Sequence, residues 1–200
     1  MGEDWVRRDL DYEEKERELI HFLESKDNAI MALATSQGNR VLARMILVAC
    51  SKLDIYFFTW GHSRKCEQIR ENPRVALCKD RVQIEGVAEI LGGLFDERNH
   101  KYTEMFRNRF PEAIEKWQDR PGMLLVKIRP TAAVIAGRPG EEPHLEFLDL
   151  ENRVAYTERW ALLLNHMAVR MLGAENNGSV SDGHFVTLCP ILAPPRLGFG

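Results

Sequence analysis

The sequence predicts a mainly β fold with flanking helices, its strands antiparallel and curled into a barrel. Three observations predict it. Between Ala29 and Ile135 about six strand-like runs follow one another, separated by turn residues. The helical stretches between them are few and short. No Gly-x-Gly-x-x-Gly follows a strand and no Gly-Lys-Ser/Thr loop occurs, which disfavours a classical dinucleotide fold or a phosphate-binding P-loop.

Taken in order, the chain opens with a polar arm. Asp11 then caps a helix to about Ser25, with Leu19, Ile20, Phe22 and Leu23 on its apolar side. Ala29–Thr35 is a short apolar strand and Ser36-Gln37-Gly38-Asn39 a turn. Arg40–Cys50 is the next strand, apolar on both faces and so expected to be buried on both. Ser51–Asp54 turns into Ile55-Tyr56-Phe57-Phe58-Thr59, an aromatic and β-branched strand. A tight turn, Trp60–Ser63, leads into a helix over Arg64–Glu71 that stops at Asn72-Pro73. Val75–Cys78 and Val82–Glu89 pair across Lys79-Asp80-Arg81, and Gly92-Gly93 breaks the sheet. Asp96–Arg109 and a segment from Pro111 are helices, with Tyr102, Met105, Phe106, Ile114 and Trp117 inward. Gly122–Ile135 is a long strand bent at Pro130. The strongest loop signal is 137–143, followed by a hairpin of 144–149 with 153–158. Arg159–Leu172 reads as an amphipathic helix capped by Gly173, and 185–192 as a last strand. The expected organisation is an arm and helix at 1–28, a barrel at 29–137, and a hairpin, helix and tail at 138–200.

Composition bounds the function. With 200 residues, 44% of them hydrophobic and 28% charged, the chain reads as an ordinary globule. A net charge of −3 gives no electrostatic case for nucleic acid. No apolar run reaches spanning length and Met1–Asp4 is no signal peptide, so no membrane association and a cytoplasmic location are expected. Cys50, Cys66, Cys78 and Cys189 form no Cys-x-x-Cys pair and read as reduced, mostly buried thiols. The six histidines show no metal-ligand spacing, so no metal is expected.

The chemistry concentrates where the Ile55–Thr59 strand meets the Arg64–Glu71 helix. Ser63 is a good N-cap, and a helix start carries unpaired N–H groups and partial positive charge. Arg64 and Lys65 add cations there, against the dipole, which a bound anion would explain. A solvated turn with a Ser cap is the plainer reading. Arg44 interrupts an apolar strand and needs an anionic partner, either a carboxylate such as Glu85 or a ligand phosphate.

Five segments in order resemble a known family: Arg44-Met45-Ile46-Leu47, Tyr56-Phe57-Phe58-Thr59, Ser63-Arg64-Lys65, Asn72–Leu77 and Val82–Glu89. They are similar to the pyridoxamine 5′-phosphate oxidase-like flavin-binding split barrels, over roughly Ala29 to Ile135. The resemblance implies a split β-barrel that binds FMN as a homodimer and acts on a small-molecule substrate by hydride transfer. It implies Arg44 and Lys65 on the FMN phosphate, with Thr59, Ser63 and Arg64 beside it. It places the backbone of Met45, Ile46, Leu47 and Phe58 near the flavin ring, and Gln83 near flavin from the partner subunit. No catalytic acid or base is singled out. The segments that reach flavin and substrate in the true oxidase, a Trp-containing insertion and a basic C-terminal stretch, have no counterpart at Lys79-Asp80-Arg81 or in Ala193–Gly200. Efficient oxidation of pyridoxamine 5′-phosphate is therefore not expected. A non-catalytic flavin- or haem-binding module and a deazaflavin-dependent reductase are the alternatives.

Overall fold

A computed structural model of the chain describes residues 5–118, 120–138 and 140–160. Ten strands belong to one antiparallel sheet: β1 (Trp5–Asp9), β2 (Ile30–Gln37), β3 (Arg40–Leu47), β4 (Ala49–Ser51), β5 (Asp54–Trp60), β6 (Arg74–Lys79), β7 (Val82–Gly93), β8 (Met123–Ala136), β9 (His144–Asp149) and β10 (Val154–Trp160). Their order is β1-β10-β9-β8-β7-β6-β2-β3, with β5 on β8 and β4 on β5. Among the described residues no hydrogen-bonded ladder joins β3 to β5, and that gap is the split in the barrel.

Period-two patterning builds the interior. Met31, Leu33 and Thr35 of β2 face inward, as do Val75 and Leu77 of β6, Ile84 of β7, and Ile55 and Phe57 of β5. Burying each large side chain contributes about 1.5–3 kcal/mol. The helix α1 (Tyr12–Glu24) starts at Asp11, whose carboxylate accepts from the Glu14 N–H at 2.8 Å. It lays Leu19 and Leu23 on this core. A second cluster lies on the other face of β5. There Tyr56 and Phe58 meet Phe106 of α3 (His100–Arg109) and Ile114 of α4 (Pro111–Trp117). The sheet around β5 and β8 is thus packed on both faces, and the end of β5 is held rigidly.

Several expectations change. The polar arm is partly strand: Trp5–Asp9 pairs with β10, and Arg7 lies 3.8 Å over the Tyr156 ring. Its charges hid it, because an edge strand exposed to water needs no apolar alternation. The Arg40–Cys50 run breaks at Val48 into β3 and β4. It is not buried on both faces, since Val41 is 70% and Met45 63% exposed. Among the described residues β3 pairs only with β2, and its outer face stays exposed.

Gly92-Gly93 does close β7: the register shifts between Ile90 and Gly92, and pairing ends at Gly93 opposite Leu124. The bend at Pro130 is a second register shift, opposite Gly86. A Cβ on Gly86 would sit 2.8 Å from the Arg129 carbonyl oxygen, so only glycine fits that approach. The 144–158 hairpin extends the sheet from β8. Arg159, read as a helix start, is in β10, while the rest of that helix and the 185–192 strand lie outside the described residues. Cys66 is buried, but Cys50 is half-buried and Cys78 exposed, and all three are free thiols. Cys189 lies outside the described residues. No helix among the described residues is long and apolar enough to cross a membrane.

Candidate functional site

The split gathers the cations. Thr59 lies at the inward-facing end of β5, buried among the core side chains. The turn after Trp60 is closed by the Ser63 N–H donating to the Trp60 carbonyl at 3.0 Å, and α2 (Arg64–Glu71) starts there. Lys65, the second residue of α2, donates to Thr59 Oγ1 at 2.7 Å. Ser63 stands at the N-cap position, yet its side chain makes no cap hydrogen bond. Its hydroxyl instead lies 3.4 Å from that of Thr59.

Arg44 arrives from β3, on the far side of the gap. It sits opposite Leu33 on the inner face. Its guanidinium donates to Thr35 Oγ1 at 2.6 Å and to Gln68 Oε1 at 3.0 Å. Thr35 in turn donates to Gln68 at 2.6 Å. Thr35 and Gln68 are each only 2% exposed, so this brace between β2 and α2 is inside the protein. The carboxylate reading of Arg44 fails, because Glu85 lies on the outer face of β7, opposite Ala76 and Ala132. Among the described residues neither Arg44 nor Lys65 forms an ion pair.

Two cations therefore meet at neutral oxygens. Burial lowers the Lys65 ammonium from its usual value, and the nearby Arg44 charge lowers it further. Burial also lowers Arg44. Each cation is costly without an anion, and an anion in the gap would relieve both costs at once. Hydroxyls of Thr59 and Ser63, a planar guanidinium and an ammonium are the donor set that suits a phosphate monoester. A flavin mononucleotide phosphate fits these residues.

The other residues named from the resemblance fall in three places. Ile46 joins the core, and Leu47 closes β3 beside it. Phe58 turns its ring to Phe106, edge-on at 5.0 Å, away from the gap. Arg64 is exposed, and Met45 and Gln83 lie on the outer face of the sheet. Gln83 pairs with Cys78 and Val134, one sheet thickness from Arg44, so one chain does not bring Gln83 to the cations. Thr35 and Gln68 escaped the sequence reading. Their signals were present: Thr35 continues the inward Met31-Leu33 alternation as a polar residue, and Gln68 falls one turn after Lys65.

The family model described as pyridoxamine 5′-phosphate oxidase matches residues 14–134, more than half of the chain. No curated protein matches the sequence. Solved structures share the fold at low identity. ChuZ of Campylobacter jejuni is 17% identical with a TM-score of 0.57, covering 71% of this chain and 61% of that one. General Stress Protein 26 of Bacillus anthracis is 21% identical with a TM-score of 0.50, covering 67% and 98%. A NimC/NimA family protein of Clostridium acetobutylicum is 17% identical with a TM-score of 0.51, covering 70% and 95%.

Proposed function

This chain belongs to the pyridoxamine 5′-phosphate oxidase family, and on that premise we propose that it is an FMN-dependent oxidoreductase working as a homodimer. The observation that carries the reading is the convergence of Arg44 and Lys65, from opposite sides of the split, with no carboxylate between them. In this reading Arg44 and Lys65 grip the FMN phosphate. Thr59 and Ser63 hydrogen-bond it, and Arg64 adds charge at the mouth. The backbone of the Met45-Ile46-Leu47 segment and of Phe58-Thr59 flanks the ring. When bound, the flavin supplies an N5 that takes or gives a hydride to a small-molecule substrate. Thr35 and Gln68 hold the Arg44 guanidinium in place before any ligand arrives, which lowers the ordering cost of binding.

The position of Gln83 supports the dimer. In this reading Gln83 meets flavin from a second copy, and exposed Ile30, Val41 and Met45 supply apolar surface for that copy to cover. The exposed Cys78 thiol suits a reducing, cytoplasmic setting.

The purified full-length chain tests the reading by absorption spectroscopy and FMN titration. A flavin spectrum, or quenching of added FMN fluorescence with preference over riboflavin, is expected. A Soret band without flavin absorbance, or equal affinity for FMN and riboflavin, would overturn it.

A further inference from the structure

A second cleft lies at the opposite end of β5 from the cations. From Asp54 to Thr59 the strand advances roughly 17 Å. The cleft has a volume of about 700 Å³ and opens between α1, α3 and the turn that joins β4 to β5. That size is in the range of small-molecule sites. One wall is an aromatic step, with the Tyr56 and Tyr102 ring centroids 4.6 Å apart. Ile20 and Met105 give it apolar surface.

The polar groups are unevenly matched. Lys52, Lys101 and Lys127 line the cleft, against Glu16 and Asp54. Lys127 is paired with Asp54 at 2.7 Å, and Glu16 accepts from the Tyr12 hydroxyl at 2.7 Å. Lys52 and Lys101 have no ion-pair partner among the described residues; the Lys101 ammonium lies 4.6 Å from the Tyr102 centroid. From this arrangement we propose that the cleft binds a small organic anion, with an aromatic body on the half-buried Tyr102 ring, which Tyr56 backs from the core, and one carboxylate or phosphate group toward Lys101 and Lys52.

The tyrosines support it. The Tyr56 hydroxyl donates to Asp54 Oδ2 at 3.3 Å. Burial pushes the Tyr56 phenol up, while the neighbouring Tyr56 hydroxyl, and after it Lys101, draws the Tyr102 phenol down. The step thus presents hydrogen-bonding oxygens beside the free ammoniums. The site goes beyond the flavin reading and does not depend on it, since none of the phosphate-gripping residues lines the cleft.

Calorimetric titration of the full-length chain with benzoate, phenyl phosphate and benzylamine tests this. At least one of the two anions should bind and benzylamine should not. Benzoate alone identifies a carboxylate ligand, phenyl phosphate alone a phosphate ligand, and both together an anion selected by charge. Lys101→Ala, an exposed helical position, should weaken the anion by roughly fivefold, while Lys65→Ala leaves it unchanged. The proposal fails if neither anion binds, if benzylamine binds as well, or if Lys101→Ala has no effect. Loss on Lys65→Ala would also overturn it, because the anion would then be sitting in the split.

Discussion

Replacing Arg44 by alanine separates ligand binding from folding. The substitution removes two donated bonds, to Thr35 at 2.6 Å and to Gln68 at 3.0 Å. It does not orphan their buried acceptors, because Thr35 still donates to Gln68 at 2.6 Å. It also removes the charge that disfavours protonated Lys65. Lost bonds and relieved repulsion oppose each other, so the ligand-free protein should change by no more than about 1 kcal/mol, or roughly 2–4 °C in Tm for a chain of this size. Binding behaves differently. A charge-assisted hydrogen bond to phosphate is worth about 1.5–3 kcal/mol, so the FMN Kd should rise about tenfold to a hundredfold or more. Riboflavin lacks the phosphate and serves as the control, its affinity barely moving. Fluorescence quenching with both ligands, alongside melting of the ligand-free chain, reads all three quantities. A large fall in Tm with an unchanged FMN-to-riboflavin ratio would refute the reasoning and make Arg44 a structural brace only.

Lys65 gives a pH signature. Its pKa is lower folded than unfolded, so between those two values the unfolded chain binds more protons and stability rises with pH. Denaturant melts of ligand-free wild type and Lys65→Met should therefore converge or cross as pH approaches the ordinary lysine value of 10.5, the wild type gaining on the variant. Parallel pH profiles would count against a protonated, unpaired Lys65. Burial pushes the Cys50 thiol up to about 12, whereas Cys78 is exposed. Iodoacetamide at mildly alkaline pH should label Cys78 well before Cys50 in peptide mass mapping, and equal rates would contradict this burial. Met45→Glu puts a charge on the exposed outer face of β3. Sedimentation should then show a dimer for the wild type and a shift to monomer for the variant; a wild-type mass near 23.0 kDa would argue against the dimer.

Local patterning was enough for much of this protein. The inward alternation of β2, the Asp11 cap and the stop at Asn72-Pro73 rest on neighbours within a few residues, and such short-range sterics and hydrogen bonding are written in the chain. The ordered segments from Arg44 to Glu89 likewise carried the family and the barrel. The sequence also placed a lone arginine in an apolar strand and two cations at a helix start, the features on which the proposed anion site rests. Which partner Arg44 takes was decided only in three dimensions. Glu85 and Arg44 lie in the same sheet, with β6 and β2 between their strands, and whether they can pair depends on which sheet face each occupies after the chain closes. The edge strand β1 was hidden because its partner, β10, lies about 150 residues away and water tolerates its charges. Thr35 and Gln68 became a brace only when β2 and α2 met, 33 positions apart in the chain. The exposure of β3 has the same origin: a strand apolar on both faces is ordinarily buried on both, but among the described residues folding gave β3 one ladder neighbour and left its outer face exposed.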